Sequence, residues 1–292
     1  MENFGKISLE SMHQEEMLKN LHDTFERRKK IHQPKIDEFE GLPGYSIETL
    51  QKEKDKVEQL KTKWSEGSSS YLEKNKQISD VFEGIMVEQL SGAWLGGKGE
   101  ASYSSEADDF LRHVDCIVEF HPEEGKLDRN YLGLGVDVTF SEDYSNVLSK
   151  MDTIWDADVK KGHRTEVQYV ETSNFKGKLP MHRVVLAGDK KTVLELARLY
   201  KDKKMNALNS HPYLASMIAQ IKIQLESYYT YTQKRNLSGE ALRDITETLR
   251  NFYNVYTIHE DFYNKNQEYL KTDKQFELVR EYCENKLGEK IQ

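Results

Sequence analysis

Val114-Asp115-Cys116-Ile117-Val118-Glu119-Phe120 and, after ten turn-prone and charged residues, Tyr131-Leu132-Gly133-Leu134-Gly135-Val136-Asp137-Val138-Thr139-Phe140 decide the fold. Both runs have strand length and are rich in β-branched residues. In the second, Leu132, Leu134, Val136, Val138 and Phe140 alternate with small or polar residues, the period of two that separates the faces of a sheet. In the first, Val114, Cys116 and Val118 are expected on one side and Asp115 on the other. A carboxylate set into an apolar strand is costly to bury without a partner or an ion. Here two adjacent strands each carry one.

Working outward, Tyr144–Trp155 reads as a helix, and Glu166–Val170 and His182–Ala187 as two further strands. Asp189 stands where an N-cap would begin a helix bearing Val193, Leu194, Leu196 and Ala197. From Pro212 onward the apolar residues keep helical spacing (Leu214, Ile218, Ile221, Leu225, Tyr228; later Leu242, Ile245, Leu249, Phe252). On the N-terminal side, residues 8–31 and 46–64 read as two helices around the breaker Gly41-Leu42-Pro43-Gly44, pairing as a hairpin. Ser70 and Glu73 have the spacing of a capping box for a third helix that runs to Gly92 or Gly96-Gly97. The expected architecture is α/β: a central mixed sheet flanked by helices, with helical N- and C-terminal extensions. The expected parts are a helical hairpin over 1–75, an α/β core over 76–235 and a helical extension over 236–292.

Composition narrows the function classes. The 292 residues are 37% hydrophobic and 32% charged, with a formal net charge of −8 and a mean hydropathy of −0.78. No apolar run is long enough to span a membrane, and the first twenty residues lack the pattern of a secretory signal. Cys116 and Cys283 are the only cysteines, which excludes a disulfide framework and suits a cytoplasmic location. The acidic balance argues against a uniformly basic coat for nucleic acid. Local basic runs do occur at Arg27-Arg28-Lys29-Lys30, Lys160-Lys161 and from Lys201 to Lys204. Each would contact phosphates or, more plainly, form a solvated helix end.

The candidate chemistry comes from carboxylates. Hydrolysing a phosphodiester calls for a divalent ion, and Mg²⁺ is held by a few convergent oxygens. Glu83 on a helix, Asp115 on one strand and Asp137-Val138-Thr139 on the next resemble the E…D…(D/E)-x-K order of the PD-(D/E)xK, or restriction-endonuclease-like, nuclease superfamily. Gln224-Leu225-Glu226-Ser227-Tyr228 is similar to the Q-h-x-x-Y helix of RecB-type nucleases. The likeness covers roughly residues 76–235, and these motifs look like those of uncharacterised bacterial members of the superfamily.

The resemblance implies a nuclease acting on DNA or RNA with Mg²⁺ or Mn²⁺. Asp115 and Asp137 would hold the metal, Glu83 would assist, and Gln224 and Tyr228 would shape the site. Thr139 stands where the family has its lysine, so Lys150 or Lys222 would have to replace that ammonium. Glu88 competes with Glu83 for the helix position; Glu83 is preferred because Gly84 beside it permits close approach to the sheet. Blander readings stand beside these. The two aspartates would be structural acids bonded to backbone, Arg112 or lysines. Gln224 and Tyr228 would be packing residues, Glu83 a solvated acid, and the protein an inactive relative serving as a binding or assembly module. The helical extensions would grip substrate or form a homodimer.

Overall fold

The computed structural model describes residues 9–66, 70–121, 133–140, 142, 144–172 and 175–288. The hairpin loop after the first quoted strand, and Tyr131 and Leu132, lie outside them. The chain is α/β. Five strands form one sheet in the order β1-β2-β3-β5-β4: β1 (Gly99–Tyr103), β2 (Cys116–Phe120), β3 (Gly133–Phe140), β4 (Thr165–Glu171) and β5 (Lys176–Gly188). β1, β2 and β3 are an antiparallel meander, β5 runs parallel to β3, and β4 is antiparallel to β5. β1 is an edge strand with few β-branched residues, and no sequence pattern announced it.

Helices cover the sheet. α1 (Leu9–His32) packs along α3 (Ser70–Ser91), which lies on β1 and β3, while α2 (Ile47–Glu66) packs on α4 (Glu106–Arg112). The N-terminal helices, expected to pair as a hairpin, therefore find their main partners on different parts of the core. α5 (Tyr144–Ala157) makes the crossover from β3 and lies on β5. α6 (Lys190–Lys201) starts at Asp189, whose carboxylate accepts the Thr192 N–H at 2.7 Å. α7 (Met205–Asn209) leads to α8 (Tyr213–Lys234), and α9 (Gly239–Lys265), α10 (Gln267–Leu270) and α11 (Lys274–Gly288) fold back onto α8. Ile245, Leu249, Phe252, Val279 and Tyr282 join the same apolar cluster as Val136 and Val184. The C-terminal extension thus shares the core of the sheet. Among the described residues, no helix is long and apolar enough to cross a membrane.

Two local devices shape the region of interest. The first is a handover along β5. Its first half pairs with β4 as far as Met181, and residues 182–188 pair with β3. Beyond Met181, among the described residues, the other edge of β5 has no strand beside it. Gln220 and Gln224, one turn apart on α8, take over. The Gln224 amide accepts the Val185 N–H at 2.9 Å and donates to the Val185 carbonyl at 2.8 Å. Gln220 does the same for Ala187 at 2.8 and 3.0 Å. Each side chain thereby serves both polar groups of one strand residue, as a neighbouring strand would.

The second device is Gly84. A Cβ there would lie 2.3 Å from the Phe25 ring of α1. The close approach expected at this glycine exists, but its partner is α1 and not the sheet.

Both devices carry measurable consequences. Gln224→Leu leaves two buried backbone groups unpaired and is expected to lower the free energy of unfolding in urea by about 2–5 kcal/mol; a near-neutral substitution would contradict the edge-covering role. Gly84→Ala is expected to cost about 1–3 kcal/mol by forcing α1 away from α3, again read by urea unfolding, and an unchanged stability would mean that the contact is soft.

Candidate functional site

Asp115 is placed by the turn that precedes its strand. Ser105 caps α4 by accepting the Asp108 N–H, and the helix ends at His113, whose φ of 53° is left-handed. Asp108 is fully buried and accepts the Gln168 and Tyr169 N–H groups, both at 2.8 Å, tying α4 to β4. Buried Arg183 donates to Asp158 at 2.8 Å and to the Arg112 carbonyl. It sits opposite Gly135 in the register. A Cβ at Gly135 would crowd the Arg183 side chain at 3.2 Å, so this glycine leaves it room. The β2–β3 ladder begins at Cys116↔Val136, and Asp115 precedes it by one residue, alongside Asp137. Val114, expected on the side of Cys116 and Val118, instead packs with Ile117, Val167 and Met181. The reason is that it belongs to the turn from His113 and not to the alternating strand.

Asp137 is 1% exposed and Asp115 9%. The Asp115 carboxylate accepts the Val138 N–H at 2.6 Å. Asp137 Oδ1 accepts from the ammonium of Lys150 on α5. Its other oxygen, Oδ2, is buried and has no hydrogen-bond partner among the described residues. Glu83, buried on α3, pairs with Lys29 of α1 at 2.8 Å, and the same ammonium reaches Asp109 at 3.1 Å. Part of the bland reading is therefore met: Asp115 has a backbone donor and Asp137 a lysine. Arg112 serves neither, being engaged with Glu53 and Asp108.

Charge is left over. Burial, and then the nearby Asp137, Asp109 and Glu83, push the Asp115 carboxyl well above the usual carboxylate range, against the pull of Lys150. Burial pushes Glu83 up to about 7 against the attraction of Lys29. For Lys150 and Lys29 the order is reversed: burial alone would lower them, but the carboxylates outweigh it and hold both charged. Four carboxylates (Glu83, Asp109, Asp115, Asp137) thus face two ammonium groups (Lys29, Lys150), a formal surplus of two negative charges. That surplus counts every carboxylate as ionised; the raised Asp115 and Glu83 relieve it by tending to hold protons, which a bound divalent cation would displace. The donors are all oxygen and Asp137 Oδ2 is buried, the chemistry that suits Mg²⁺ or Mn²⁺, while no three of these four carboxylates bring oxygens within 4.8 Å of one another.

The remaining candidates separate. Thr139 is buried on β3, paired with Ala187 in the register, two residues beyond Asp137. Lys150 reaches Asp137, whereas Lys222 lies over the Tyr256 ring at 4.9 Å, near Glu226. Gln224 spends its amide on Val185, the register partner of Asp137, so it lies one strand away from the carboxylates. Tyr228 is buried against Trp155. Glu88 is bound to Arg28 and Tyr200.

Lys29 and Asp109 were not singled out by sequence. Lys29 did leave a signal, because it continues the stripe Leu18, Leu21, Phe25 at helical spacing, where a solvated lysine would not belong. Among the described residues, the three-residue group whose ligand atoms all lie within 4.8 Å of one another is His22, Glu26 and Asp80, on α1 and α3. It is already neutralised: Asp80 accepts from His22 at 3.0 Å and from Lys76 at 2.7 Å.

No protein-family model, no curated protein and no solved structure matches this chain.

The raised Asp115 pKa has a thermodynamic signature. Ionising this group costs more in the folded protein than in the unfolded chain. Its contribution therefore falls as pH rises from the ordinary carboxylate value, about 4, through the raised folded value. In metal-free buffer, Asp115→Asn is expected to gain melting temperature relative to the parent between about pH 5 and pH 8. A pH-independent difference would show that Asp115 titrates normally.

Proposed function

We propose that the chain is a metal-dependent nuclease of the PD-(D/E)xK type, hydrolysing phosphodiester bonds in DNA or RNA. The observation that carries the reading is the buried carboxylate surplus beside an unpartnered Asp137 oxygen, at the junction of two central strands. The mixed sheet flanked by helices is the architecture that the sequence resemblance implies. Asp115 and Asp137 would hold Mg²⁺ or Mn²⁺. Bound there, the ion would neutralise phosphate charge and lower the pKa of the attacking water.

The chain's own groups do the rest. Lys150 replaces the ammonium missing at Thr139: its charge is held by Asp137 and Asp115, next to where negative charge develops on the phosphate. Glu83, poised near neutrality, accepts or holds a proton at the rim, and Lys29 fixes its orientation together with that of Asp109. Gln224 acts through β5, keeping the strand next to Asp137 in place.

A second reading has an observation in its favour. Lys29 and Lys150 already sit on Glu83 and Asp137, as they would in an inactive relative that neutralises its former ligands with lysines.

Titrating Mn²⁺ while following the melting temperature separates the two. The nuclease reading expects a rise of several degrees, the size of shift that about 1–3 kcal/mol of ligand linkage produces. The rise should be absent in Asp137→Asn, and Lys150→Met should retain it while losing about 10²–10³ in cleavage of labelled DNA or RNA. Equal melting of parent and Asp137→Asn across the titration would remove the metal site and leave the binding module.

A further inference from the structure

The seam between α1 and α3 holds a second polar group besides the Lys29–Glu83 pair. His22 and Glu26 are four residues apart on α1 and so share one helical face. Asp80 meets them from α3. One ligand atom from each lies within 4.8 Å of the other two, and all three side chains are partly buried. His22 Nε2 is 3.0 Å from Asp80 Oδ2, and Nδ1, across the ring, faces the Asp23 carboxylate at 3.6 Å.

The neutralisation of this group is partial. It covers Asp80, through His22 and through Lys76, whose side chain is 62% exposed. Glu26 makes no hydrogen bond or ion pair among the described residues, although its carboxylate is brought up to another acid. Like charges at such a distance are unfavourable, and the packing of Phe25 on Gly84 fixes the two helices that hold them there. A carboxylate behind the ring, on the side of Nδ1, is the arrangement that steadies a metal-binding imidazole and leaves Nε2 to the metal.

The donor set also differs from the all-oxygen cluster around Asp137. Imidazole nitrogen suits zinc and its first-row neighbours, whereas Mg²⁺ prefers oxygen. Three protein ligands and one water make the four-coordinate shell that zinc favours.

We propose that His22, Glu26 and Asp80 form a transition-metal site, of the zinc class, that ties α1 to α3. The ion takes the place of the proton between His22 Nε2 and Asp80, which passes to solvent. It also displaces the Lys76 ammonium, which turns outward. The charges of Glu26 and Asp80 then balance the ion. Glu83 lies one turn beyond Asp80 on α3, and Lys29 two turns beyond His22 on α1, so the tie holds the helix that carries Lys29. The site stands independently of the nuclease reading.

The test is the melting temperature of Asp137→Asn titrated with ZnCl₂, and with MgCl₂ as the oxygen-preferring control. The Asp137 substitution takes the other candidate site out of the readout. Zn²⁺ is expected to raise the melting temperature by several degrees and Mg²⁺ to leave it unchanged. Added Glu26→Gln separates a ligand from a structural acid, because Glu26 bonds nothing without metal. It should leave the metal-free melting temperature unchanged. It should also need at least about tenfold more Zn²⁺ for the same rise, since even outer partners of metal ligands are worth about 10–100-fold in affinity.

His22→Gln should lose the rise, measured against its own metal-free value. His32→Gln, at an exposed histidine of the same helix, should titrate like its parent. Should Asp137→Asn fold poorly, Co²⁺ added to the unsubstituted chain gives a visible absorption band, strong for a four-coordinate ion, that His22→Gln should abolish. A Glu26→Gln protein that responds like its parent, a rise lost in His32→Gln, an equal rise with Mg²⁺, or no rise at all would overturn the site. An intact zinc response without an Asp137-dependent Mn²⁺ shift would count against the nuclease reading only.

Discussion

The pairing of Asp137 with Lys150, next to Asp115, is the interaction on which the site depends. A carboxylate at 1% exposure is tolerated only with compensation, and Lys150 compensates Asp137 alone among the four neighbouring acids. The rest of the region manages what remains. Asp115 takes a backbone N–H, Glu83 and Asp109 share Lys29, and the Asp115 carboxyl is still driven to hold its proton. Structural ion-pair networks usually close on themselves, every oxygen engaged. Here one Asp137 oxygen stays open in a buried position among the described residues, and that opening is what the proposed cation would fill.

Holding such a cluster together requires rigid elements from across the chain. The residue just before β2 and β3 itself supply Asp115 and Asp137, α4 supplies Asp109, α5 and α1 supply the lysines, and α3 supplies Glu83. Close packing of Phe25 over Gly84 fixes α1 against α3 and so fixes Lys29 against Glu83. The two glutamines of α8 finish the open edge of β5, and β5 in turn supports β3 in parallel register beside Asp137. Backbone hydrogen bonding and site electrostatics are thus linked through one strand.

Much of this was legible in the residues. The alternation in Gly133–Phe140 announced β3, the β-branched run announced β2, and Asp189 announced the start of α6, because in each case local chemistry and tertiary structure agree. β1 was not legible: Gly99-Glu100-Ala101-Ser102-Tyr103 has little intrinsic strand preference and is a strand because β2 offers it a ladder. The expected pairing of α1 with α2 fails for a related reason. Apolar spacing shows that a helix has a buried face but not what buries it. Glu83, Asp115 and Asp137 could be proposed from their positions, yet Lys29, Asp109 and the choice of Lys150 over Lys222 depend on which helix ends meet which strands. Lys150 falls between Val147 and Ile154 on the buried stripe of α5, and Lys29 extends that of α1. A lysine in an apolar stripe deserved more weight than the length of a basic run.

The central claim is that the carboxylates of Asp115 and Asp137 together hold a divalent cation. Anomalous scattering from crystals soaked in Mn²⁺ locates the ion directly. The account expects a peak between these two side chains, within oxygen-ligand distance of both. A peak confined to His22, Glu26 and Asp80, or no ordered peak near Asp137, would contradict it.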